Sequence, residues 1–261
     1  MNRQMTAIIK KDINSIVANR RMFLTLLVVP LVLTIVVPSV FLVTMRFAPI
    51  EAGEFQKLLE LIPLSARPDN LTEAVAALML NQVLPVFFLI IPIMASSVMA
   101  ASSFVGEKEK RTLETLLYCP LSLKQIFYAK VLAAFTLSMW ISLLSFAVML
   151  AVLETEGWLL LGSLLIPDVK WLLIMLLVSP AISLIAVTLI VRFSAKAQSM
   201  EDAQQCAVFL LLPILLLLVG QFTGVLLING WVLLGLGLVC ALLAWILLRQ
   251  SLRKFQYEEL F

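Results

Sequence analysis

The chain has 261 residues, 62% of them hydrophobic and 13% charged, with a mean hydropathy of +1.07. A soluble domain carries about 25% charged residues, so the natural solvent for this surface is lipid, and a net charge of +3 gives no footprint for a nucleic-acid partner. There is no His to serve as metal ligand or neutral-pH base, and Cys119, Cys206 and Cys240 lie too far apart in sequence to suggest a disulfide framework.

Residues 3–20 form the first periodic stretch. Met5, Ile8, Ile9, Ile13, Ile16 and Val17 recur at helical spacing, while Arg3, Lys10, Lys11 and Asp12 are assigned to the other side. This predicts an interfacial helix lying in the inner membrane interface with its basic residues toward anionic headgroups; the alternative is a cytoplasmic helix packed on the protein itself.

The hydrocarbon core is about 30 Å thick, so a spanning helix needs roughly 20 apolar residues. Six segments meet that test: 22–45, 81–105, 131–153, 171–191, 205–228 and 231–249. The first has no small-x-small cleavage site and reads as retained rather than as a removed signal peptide. Asn229-Gly230 makes the last two a tight hairpin. The fold class is therefore an all-α integral membrane protein, a single transmembrane domain over 1–261 with an outer loop at 46–80. In that loop Asn70-Leu71-Thr72-Glu73 resembles a capping box that starts the second span.

Of the 19 Lys and Arg, all but Arg46, Lys57, Arg67 and Lys170 fall in the N-terminal stretch, the 106–130 segment, the 192–204 segment and the tail. The positive-inside bias predicts that both termini are cytoplasmic.

Between spans two and three the chain reads Gly106-Glu107-Lys108-Glu109-Lys110-Arg111-Thr112-Leu113-Glu114-Thr115-Leu116-Leu117-Tyr118-Cys119-Pro120. Gly106 ends the apolar run and Pro120 ends the helical pattern. Glu107 with Arg111 and Lys110 with Glu114 are spaced to pair along one helix, and Leu113, Leu116 and Leu117 make a narrow apolar stripe. Residues 107–120 thus read as a short amphipathic helix held between two spans. Ser122 with Gln125 then forms a capping box that starts the third span.

This run, with Lys130 ahead of the next span, resembles the signature of type-2 ATP-binding cassette (ABC) transporter permeases. The six spans, the amphipathic N-terminal helix and the final hairpin match as well, so the resemblance covers essentially the whole chain. It implies that 107–120 is a coupling helix docking in a groove of an ATPase subunit, with Glu107, Glu109, Thr112, Leu113, Glu114, Leu117 and Pro120 on the matching positions. Arg111 departs from the Gly that many members carry before the Thr. The chain has no G-x-x-x-x-G-K-[ST] phosphate-binding loop and so is expected to bind no cofactor and to be no enzyme. The resemblance implies two copies of a cytoplasmic ABC ATPase holding ATP and Mg, and a second permease, identical or homologous, to complete the pathway. A bacterial or archaeal cell membrane is the expected location.

Inside the membrane no Asp, Glu, Lys or Arg lies near the middle of a predicted span, which argues against a proton-coupled carrier. Thr34, Ser96, Ser97, Ser142, Ser145, Ser183, Gln204, Gln205, Gln221 and Thr223 are expected mainly to bond neighbouring helices. Asn81, Gln82 and Ser96 are the candidates for lining a path. Gly220 and Gly224 form a G-x-x-x-G that serves either a dimer seam, which the resemblance implies, or packing within one subunit. Pro30, Pro38, Pro85, Pro92, Pro180 and Pro213 are predicted to kink their spans.

The functional expectation is a permease of an ABC exporter for a hydrophobic or amphipathic cargo such as a peptide, lipid or drug. Sodium efflux is the alternative within the family. A membrane enzyme would need nucleophiles, acids or metal ligands clustered at one depth, which the sequence does not offer; a non-transporting scaffold or sensor that binds a partner through 107–120 is the remaining reading.

Overall fold

A computed structural model of the chain describes residues 3–47, 71–109, 112, 121–162, 165, 167–194, 197, 199–205, 207–222 and 229–254. Helix α1 (Arg3–Ala18) is followed by six helices long and apolar enough to cross a membrane. These are α2 (Arg20–Phe47), α3 (Val75–Glu109), α4 (Leu123–Leu160), α5 (Lys170–Ser194), α6 (Met200–Gln221) and α7 (Gly230–Leu252). They fall in order on the six predicted segments. Most run past the apolar stretch into polar sequence, since a helix need not stop where the hydrocarbon does. Two bounds change. The chain is already helical from Leu71, within the predicted outer loop, and α3 continues through Gly106 to Glu109. Glu107 and Glu109 therefore belong to the span rather than to a separate helix. Asn70, the proposed cap, lies outside the described residues, as do 223–228 of the fifth predicted segment.

Local signals explain several ends. Asn19 separates α1 from α2 and caps α2, its side chain accepting from the Met22 amide. Ser122 and Gln125 form the predicted capping box of α4, with bonds in both directions. A second box, between Ser199 and Asp202, opens α6.

Helix α3 is the hub. It packs on α4, α5 and α6 and is enclosed along most of its length, whereas α2, α6 and α7 are mostly exposed. Their outward side chains, among them Val40, Leu216, Leu242 and Trp245, are large and apolar, as a lipid-facing surface requires. Trp158 and Trp231 are exposed at the end of the bundle away from α1, the position of an interfacial aromatic belt.

Three of the prolines share one device. The residue before Pro38, Pro85 and Pro180 donates its amide five residues back: Val37 to Val32, Leu84 to Met79 and Ser179 to Ile174. Each proline thus follows a widened π-turn, Val32–Val36, Met79–Val83 or Ile174–Val178. Proline lacks an amide hydrogen, and its ring collides with the carbonyl four residues earlier. Widening the turn moves that carbonyl away and lets the helix continue.

One close approach of helices occurs at a glycine outside the predicted G-x-x-x-G. Gly220 lies on α6 and Gly224 lies outside the described residues. At Gly237 of α7 an added Cβ would sit 2.5 Å from Leu177 Cδ2 and 2.7 Å from its Cγ on α5. Gly237→Val is expected to lower thermal stability in detergent by about 1–3 kcal/mol through overpacking, and Leu177→Ala is expected to restore part of the loss. Additive effects in the double variant would remove Gly237 as the contact that sets the α5–α7 spacing.

Candidate functional site

The densest polar arrangement lies at the α1 end of the bundle, at the root of the 107–120 segment. Lys130, on the first turns of α4, is 2% exposed. Its Nζ lies 2.7 Å from Glu107 Oε2 and 3.7 Å from Asp12 Oδ2, and donates to the carbonyl and, at 3.2 Å, to the hydroxyl of Ser103. Ser103 Oγ in turn donates to Asp12 Oδ2 at 2.6 Å. Lys11 Nζ reaches Glu107 Oε1 at 2.5 Å. The Phe104 ring lies under the Lys130 ammonium, 5.2 Å from its centroid, and meets Phe127 edge-on.

Two cations and two carboxylates thus tie α1, α3 and α4 together with no net charge. Burying one charge alone is costly, whereas a hydrogen-bonded neutral set offsets most of that cost. The roles within the set differ. Lys130 and Asp12 side chains are 3% and 5% exposed, but that of Lys11 is 54% exposed, so the Lys11 pair is screened by water.

Helix α1 is therefore packed on the protein along Ile8, Asp12 and Ile16, a stripe at four-residue spacing. This corrects two sequence assignments. Asp12 faces the bundle instead of sharing the solvent side with Lys10, because Lys130 and Ser103 supply its partners. Val17 is 48% exposed instead of joining the apolar face.

Of the residues expected to couple, Glu107 is turned into this cluster, Glu109 is exposed, and Thr112 is exposed with its amide donating to the Glu107 carbonyl at 3.0 Å. Leu113, Glu114, Leu117 and Pro120 lie outside the described residues. Gly106 sits in the α3 wall against Met200 of α6, whose Sδ an added Cβ would meet at 2.9 Å. On the same face Arg192 of α5 holds the end of α7, donating to the Leu247 carbonyl, Gln250 Oε1 and Ser251 Oγ.

A second polar arrangement lies at the far end, around the π-turn of α3. The Leu84 amide is spent on Met79, and Pro85 has none to give, so the Leu80 carbonyl has no donor in its own helix. It accepts from Trp171 Nε1 at 3.3 Å. The Gln82 carbonyl accepts from Gln221 Nε2 at 2.8 Å, and Asn81 Oδ1 accepts from the Asp168 amide at 2.9 Å. Trp171 is 2% exposed and stacks edge-on with Phe88, centroids 5.6 Å apart.

Asn81 and Gln82 thus meet two neighbouring segments, while Ser96 is enclosed and bonds back to the Pro92 carbonyl. Thr34, Ser97 and Ser142 likewise bond carbonyls of their own helix, against the expectation of cross-helix bonds. The carbonyl four residues back is the nearest acceptor for a hydroxyl on a helix. Ser183 does cross helices, its hydroxyl 2.7 Å from that of Ser138. Ser39 also crosses, donating to Glu156 at 2.6 Å.

Compared with known proteins, residues 3–235 match a family described as ABC-2 type transporter. No curated protein and no solved structure matches the chain.

Lys130→Met leaves two carboxylates facing each other in a closed site and is expected to destabilise the protein by about 3–5 kcal/mol. Lys11→Ala, at a half-exposed pair, should cost less than about 1 kcal/mol. Denaturant titration of both purified variants checks the ranking; equal losses would contradict the division of roles within the cluster.

Proposed function

The chain belongs to the ABC-2 type transporter family, and on that footing we propose that it is the permease half of an ABC exporter, driven through residues 107–120 by a separate ATPase. Members of this family are membrane components whose ATPase is another chain. The observation that carries the coupling role is the root of that segment. Glu107, its first residue, is held at once by Lys11 of α1 and Lys130 of α4. A displacement of the segment therefore enters three helices together.

On this reading both termini are cytoplasmic, as the Lys and Arg distribution supports, and a second permease completes the pathway. Two ATPase subunits close on ATP and Mg, move the coupling segments and open the route between the permeases. Glu109, Thr112, Leu113, Glu114, Leu117 and Pro120 form the docking surface, with Glu107 as its anchor. Export is the direction proposed, and the absence of fixed charge near the middle of the spans suits a hydrophobic or amphipathic cargo.

Glu114→Lys, a charge reversal in the middle of the docking segment, is expected to abolish co-purification of the ATPase in mild detergent while leaving the permease folded. Retention of the ATPase at the wild-type ratio would refute the coupling assignment.

A further inference from the structure

Hydrocarbon offers a polar atom no partner, so a side-chain oxygen closed off there without a hydrogen bond demands an account. Two such oxygens belong to the residues that join α3 to α6: Gln82 Oε1 and Gln221 Oε1, both buried and both without a partner among the described residues. Gln221 is 5% exposed. The orientation of its amide is fixed by its own bond. Nε2 donates to the Gln82 carbonyl, and turning the amide over would set oxygen against oxygen. Gln221 Oε1 is thus an acceptor with nothing to accept among the described residues. The neighbouring polar atoms are already used: Asn81 Oδ1 holds the Asp168 amide and the Leu80 carbonyl holds Trp171. They are struts. The two glutamine oxygens are what remains for a guest.

We infer that Gln82 and Gln221 form a binding site for the hydrogen-bond-donating headgroup of an amphipathic molecule, a hydroxyl or a protonated amine. This rests on the permease reading and gives its cargo a chemical class. Acceptors closed off from water discriminate strongly for a donor, because a guest without one leaves the oxygens unpaired. They carry no formal charge, so they do not demand a cation.

The test uses the full chain in lipid nanodiscs and two probe pairs matched in tail length: dodecanol against dodecyl methyl ether, and dodecylamine against dodecyltrimethylammonium. Only the first of each pair donates. Radiolabelled binding is compared between wild type, Gln221→Leu and Gln82→Leu, so that partitioning into the lipid cancels. The wild type is expected to favour the donor by about tenfold in both pairs, and Gln221→Leu to reduce that preference to within about twofold. Should Gln221→Leu fail to fold, Gln82→Leu carries the test, since it keeps the bond from Gln221 to the main chain. Equal binding within each pair, or a preference that survives the substitution, means that water or a second copy of the chain meets these oxygens and overturns the proposal. The measurement needs no ATPase, so its failure is distinct from failure of the Glu114→Lys capture experiment.

Discussion

A chain that crosses hydrocarbon six times has to satisfy its main-chain polar groups internally, because nothing outside it will do so. The prolines of α2, α3 and α5 challenge that requirement, and the π-turns before them are the response. In α3 the response is incomplete within the helix, since the Leu80 carbonyl has no donor there. Trp171 from α5 supplies one, and Gln221 from α6 binds the Gln82 carbonyl on the same turn. A local gap in one helix thereby fixes the position of two others. The Phe88, Phe146 and Trp171 rings then pack on that junction, so that apolar burial reinforces bonds which alone would be worth about 1 kcal/mol each.

At the α1 end charges play the corresponding part. Asp12, Glu107 and Lys130 are tolerable in a closed site only as a set, and each comes from a different helix. Side-chain volume tolerates small shifts, but a buried charge tolerates the loss of its partner badly. The cluster therefore favours rigid-body motion of α1, α3 and α4 over sliding between them. In the proposed permease that rigidity is what allows a force on residues beyond Glu109 to reach the bundle undiminished.

The spans were legible because length and hydropathy are demanded by the bilayer itself, and the Ser122–Gln125 cap because its two bonds need only local sequence. The inward face of α1 was partly legible: Asp12 stands four residues from both Ile8 and Ile16, a spacing that outweighs its charge. From the sequence Lys130 reads as one of the cytoplasmic cations and as the end of the family-like run, yet Ile126, Phe127, Ala133 and Ala134 around it are apolar and three or four residues away. What the sequence withheld is the pairing itself. Lys130 with Glu107, and Gln221 with Gln82, join residues far apart in the chain through the order in which helices pack, and periodicity carries no information about that order. The same limit applies to Gly237, whose role depends on Leu177 standing opposite.

The two polar arrangements on α3 differ in one respect that bears on function. At the α1 end every charge is matched by an opposite one, Glu107 Oε2 being held by its ion pair with Lys130 alone. At the far end the Leu80 and Gln82 carbonyls have their donors, but two glutamine oxygens have none among the described residues. A charge-matched cluster resists change, which suits the end where a motor would grip. An unsaturated one sits at higher free energy until a donor arrives, which suits the end where a cargo headgroup would be met and released. Helix α3, the most enclosed of the six spans, carries both.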